Sequence, residues 1–169
     1  LSQTMLAVFP AFAKIVLSED NTIVIQGLLA CSGLGIISGS LLAGKLCRQQ
    51  IHFPVILVGA IGLITMLFVI PYLNTVIPFA LAIIGFGFFG GLFIIPLNAL
   101  IQMHADIMQL GSVLAANNWV QNLAMISFLM LTYLVAKADT PSALFLQYLP
   151  WLAVLLIIPI LIKLKRKFV

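Results

Sequence analysis

The apolar runs of this chain, 53–73 and 76–102 among them, match the roughly 20 residues that an α-helix needs to cross the hydrocarbon core of a bilayer. Only helices and closed β-barrels satisfy their backbone hydrogen bonds at that depth. A barrel requires strands of alternating polarity, and these runs do not alternate. The chain therefore reads as an all-α integral membrane protein. Its charge content agrees: 7% of its 169 residues are charged and 63% are hydrophobic, whereas soluble domains carry roughly 25% charged residues.

Six helices are predicted, over about 2–17, 22–46, 53–73, 76–102, 110–136 and 143–162 of a single unit, 1–169. Pro54 and Pro78 stand near helix starts, where a missing N–H costs little. Small residues recur four apart at Gly35 and Gly39, Ser40 and Gly44, and Gly87 and Gly91, a spacing that lets membrane helices approach closely. The glycines at 85, 87, 90 and 91, followed by Pro96, predict a fourth helix bent or loosened near the proline.

The net charge of +4 is no sign of nucleic-acid binding, because half of the bases, Lys163, Lys165, Arg166 and Lys167, lie in the final tail. Such a tail suits a membrane stop and contact with anionic lipid. Six spans put both ends on one side, together with Lys45 and Arg48. The opposite connections hold Glu19, Asp20 and Asp139 against Lys137 alone. The positive-inside rule then makes both termini cytoplasmic. The chain does not begin with Met and lacks a signal-peptide pattern, so it reads as a piece of a longer polypeptide. Cys31 and Cys47 show no metal spacing and read as packing residues.

Carboxamides crowd one region: Asn98, Gln102, Gln109, Asn117, Asn118, Gln121 and Asn122. Asn98 and Gln102 share a face of the fourth helix, and Asn118, Gln121 and Asn122 share a face of the fifth, since residues three and four apart are neighbours. At about 1.5 Å rise per residue, both groups fall in the cytoplasmic half of the membrane. Buried amides without partners are costly. They act either as interhelical glue, at about 0.6 kcal/mol per contact, or as the lining of a polar cavity. So many on two consecutive helices favour the cavity. Neutral donors and acceptors suit phosphate oxygens, glycerol hydroxyls or an ester, and not proton relay, which needs titratable groups. Lys14 is the base inside a span; it either snorkels to the outer surface or holds an anionic headgroup. His52 and His104 read as interfacial. The sequence holds no catalytic triad, no His-x4-Asp pair and no phosphate loop, so neither catalysis nor a metal or other cofactor is expected.

At Pro96-Leu-Asn-Ala-Leu-Ile-Gln102 and Gly111-Ser-Val-Leu-Ala-Ala-Asn-Asn-Trp-Val-Gln-Asn-Leu-Ala-Met125, the chain resembles the carboxyl-terminal half of lysophospholipid transporters of the major facilitator superfamily. These occur alone or as the front section of fusions with a glycerophospholipid acyltransferase and an acyl-carrier-protein synthetase. The segment Gly39-Ser-Leu-Leu-Ala-Gly-Lys-Leu-Cys-Arg48 is similar to the superfamily's signature loop but lacks its acidic residue. The connection after Gln102 lacks the bases of the standalone transporters, which points to the fused type. The resemblance implies a half-transporter of six helices that works with an amino-terminal six-helix half. Together they would move lysophospholipid, chiefly lysophosphatidylethanolamine, inward across a bacterial inner membrane for reacylation. Substrate would bind between the halves. Asn98, Gln102, Asn117, Asn118, Gln121, Asn122 and Lys14 are the candidate substrate contacts, and membrane lipids the remaining partners. The alternatives are another facilitator-type efflux carrier, the membrane anchor of an acyltransferase fusion, or a structural subunit.

Overall fold

The computed structural model describes residues 22–47, 52–137 and 142–168. The first expected helix, 2–17, lies outside these residues, as does Lys14. The described chain is all-α, with five long helices: α1 (Thr22–Leu46), α2 (Phe53–Val69), α3 (Val76–His104), α4 (Leu110–Lys137) and α5 (Ser142–Phe168). Stretches of α1, α2 with its following turn, α3 and α5 are long and apolar enough to cross a membrane. A multi-pass membrane protein is what this length and composition describe.

Three helix ends differ from expectation, each for a local reason. The last turn of the third predicted helix is a 3-10 turn, Ile70–Tyr72, because Pro71 has no N–H to continue the α pattern. α3 extends to His104, whose Nδ1 lies 2.9 Å from the Leu100 carbonyl oxygen. α5 continues to Phe168 instead of stopping near 162. Its basic end is a run of good helix formers, and cations are favoured at a helix C-terminus. Between α3 and α4, Asp106 accepts a hydrogen bond from the Met108 N–H at 3.3 Å and caps the 3-10 turn Ile107–Gln109.

The tightest packing joins α1 to α3, and two of the three small-residue pairs carry it. A Cβ on Gly35 would overlap the Ile84 carbonyl oxygen, and one on Gly39 the Phe88 carbonyl. From the other side, Gly87 abuts the backbone of Ser32 and Ile36, and Gly91 that of Ile36 and Ser40. The two helices thus run in the same direction, backbone against backbone. Gly44, of the third pair, meets nothing within 4 Å. Gly59 touches the backbone of Leu92 and Phe93, and Gly62 the ring of Phe89, which seats α2 antiparallel on α3. The last helix, α5, packs on α2 and carries the buried residues Leu149, Ala153 and Ile157.

The continuous core occupies one half of the bundle. It combines Ile25 and Leu28 of α1, Ala60, Leu63 and Leu67 of α2, Phe79, Ile83 and Phe86 of α3, and the three α5 residues. In the other half, where α1 ends and α2 begins, Ala43, Ile56, Leu92 and Pro96 are buried but an open crevice separates the helices. α3 stays α-helical through the buried Pro96. Pro96 leaves the Leu92 carbonyl, one turn back, without its usual helical donor.

Candidate functional site

Asn98 and Gln102 lie in the last two turns of α3. Gly91 sits against Ser40 of α1, and Gly59 against Leu92 and Phe93. Two helical turns further along this register, Asn98 is level with the end of α1 and the start of α2. It is half-buried there, and Gln102 is exposed. The crevice lies toward the same end. It has a volume of about 300 Å³ and a wholly apolar wall that includes Leu42, Leu46, Pro54, Val55, Phe88 and Leu92.

The other amides sit on α4, which follows α3 after the capped turn. Asn117 is half-buried, and Asn118, Gln121 and Asn122 are exposed, as is Trp119 at 70% of its surface. No residue of α4 whose side chain is described is buried. The helix meets α3 near their connection and otherwise stands largely clear of the described bundle. The structure therefore does not bring the α4 amides into a closed pocket with Asn98 and Gln102.

Five hydroxyls of the helices bond to their own backbone. Ser32 donates to the Leu29 carbonyl, Ser38 to Gly35, Thr65 to Ile61, Ser127 to Leu123 and Thr132 to Phe128, at 2.7–2.9 Å. Each hydroxyl bonds within its own helix, so it needs no partner at membrane depth. Among the described residues, none of the candidate amides makes a side-chain hydrogen bond. Their donors and acceptors are left for something else.

A second cavity, which the sequence did not reveal, lies at the opposite end of α2. It holds about 210 Å³ between the turn after α2 and the start of α5, and Phe68, Tyr72, Gln147, Tyr148 and Trp151 line it. Its aromatic residues come from positions far apart in the chain, so no local spacing could have announced it. Among the described residues no group of three His, Cys, Asp or Glu side chains could hold a metal ion. No family model, curated protein or solved structure matches the chain.

Proposed function

We propose that this chain is the carboxyl-terminal six-helix half of a major-facilitator-type carrier for lysophospholipids in a bacterial inner membrane, with both of its ends cytoplasmic. The observation that carries the reading is the unbonded carboxamide set, Asn98 and Gln102 on α3 and Asn117, Asn118, Gln121 and Asn122 on α4. A neutral headgroup path needs donors and acceptors that are not already committed. The apolar crevice at the same end of the bundle adds a place for a single acyl chain. A lysophospholipid has one such chain and a hydroxyl-bearing, phosphate-containing head, and the two features meet its two halves. The exposed flank of α4 would be covered by the amino-terminal half, which closes the cavity between halves.

Transport by the full-length polypeptide tests this. Removing an amide that bonds a buried phosphate or hydroxyl costs about 1–3 kcal/mol, a five- to hundredfold loss of affinity. Asn98→Ala and Asn122→Ala should therefore raise the lysophospholipid concentration needed for half-maximal uptake, at equal amounts of folded protein. If the amides only hold helices together, folded yield falls while the surviving protein transports normally, and the headgroup role is refuted.

A further inference from the structure

We propose that the aromatic cavity between α2 and α5 is a binding site for the alkylammonium end of a zwitterionic phospholipid headgroup, drawn from the leaflet opposite the amide end. It goes beyond the carrier reading and stands or falls without it, since the two sites lie at opposite ends of the bundle.

Four aromatic side chains, Phe68, Tyr72, Tyr148 and Trp151, wall one cavity. The Phe68 and Trp151 rings meet edge to face, with centroids 5.4 Å apart and planes at 86°, which makes a right-angled corner. Tyr72, Tyr148 and Trp151 keep about two thirds of their surface exposed, at 71%, 67% and 65%. They wall the space and do not fill it. Ring faces attract cations, and quaternary ammonium groups are the ligands that aromatic cages hold.

The surrounding charge has the right sign. From Phe53 to Met103 the chain carries no Lys, Arg, Asp or Glu, so no base competes for the cage from α2, its turn or most of α3. The cavity adjoins the C-terminus of α2, the negative end of that helix dipole; the N-terminus of α5 lies more than a turn from Gln147. Two prolines of the wall, Pro71 and Pro150, withhold N–H groups from the helical ladder. They leave the carbonyls of Leu67 and Leu146, one turn back, without their usual donors. Gln147 adds a side-chain amide to the wall. The apolar run of α2 stops at Tyr72, which sets the cavity at headgroup depth.

The experiment reads Trp151 fluorescence. Trp119→Phe leaves Trp151 as the sole tryptophan, since the chain has two. The full-length polypeptide, with any tryptophan outside this chain replaced by Phe as well, is titrated in alkyl maltoside micelles with tetramethylammonium chloride against sodium chloride at equal ionic strength. A saturable emission change with the first salt alone is expected. Tyr148→Leu should move its midpoint up about fivefold or more, as loss of one cage wall predicts, and Tyr148→Phe should not. If Tyr148→Leu does not fold, Tyr72→Leu, at an exposed turn position, gives the same reading. In nanodiscs, phosphatidylcholine should shift Trp151 emission relative to phosphatidylglycerol, and the leucine variants should abolish the difference. Absence of a saturable response, an unchanged midpoint in the leucine variants, or equal emission in both lipids would leave only an aromatic belt anchoring the helices in the interface, and would overturn the proposal.

Discussion

Single residues divide into those the bundle cannot change and those it leaves uncommitted. Gly35 belongs to the first kind. Its α-hydrogen faces the Ile84 carbonyl oxygen and the Phe88 N–H, so Gly35→Ala must push α1 off α3 along with the backbone contact. Overpacking of this kind costs about 1–3 kcal/mol. Gly44→Ala, with open space around it, should instead be neutral or gain the roughly 0.5–1 kcal/mol by which Ala exceeds Gly inside a helix. Thermal unfolding of the two variants in detergent compares them directly, and equal midpoints would contradict the backbone-contact reading. The sequence pattern marked both positions alike as small residues four apart. It could not separate them, because which face of α1 meets α3 is settled by the whole bundle. The amides belong to the second kind. Their helical spacing was legible from the sequence, but their lack of partners became visible only once the neighbouring helices were placed.

At the scale of elements, hydropathy located α1, α3 and α4 to within two residues at each end. It failed where the physics at the end was not hydropathy. Pro71 turned the last turn of one helix into 3-10 geometry, and the charged tail of α5 remained helical where its apolarity ran out. The same helix-by-helix view isolates α4. If its amide face borders a water-filled path, as the proposed carrier requires, Asn118→Cys and Gln121→Cys should react with a charged, membrane-impermeant thiol reagent. Met130→Cys, three turns deeper, should not. Cys31 and Cys47, both free and half-buried, are replaced by Ser beforehand. Equal labelling at all three positions, or at none, would remove the polar path from α4. Such a helix also has little to hold it: amide hydrogen exchange should be faster along α4 than along the core segment of α3 around Phe79 and Phe86, since opening free energy follows buried contact.

For the molecule as a whole, orientation is the property most open to test. The positive-inside rule, applied to the basic residues, predicts that both ends are cytoplasmic. Single cysteines at Asp20 and at Lys167 should therefore label from opposite sides of the membrane, and labelling of both from one side would reverse the assignment. The backbone-locked α1–α3 pair makes the packed half rigid, whereas α4 hangs from a capped turn at Asp106. The hairpin of α2 and α3 has a further consequence for how the protein is made. Its two helices are joined by Leu73, Asn74 and Thr75 beyond the proline turn, and neither they nor the helices carry a formal charge before His104. Transferring that tip through the bilayer exposes no ion to hydrocarbon, a step that for each Lys or Arg at mid-depth costs about 2.5–3.5 kcal/mol. The newly made hairpin can thus slip across as one unit, and the bases that precede it in the sequence, Lys45 and Arg48, would then be the charges that fix its direction.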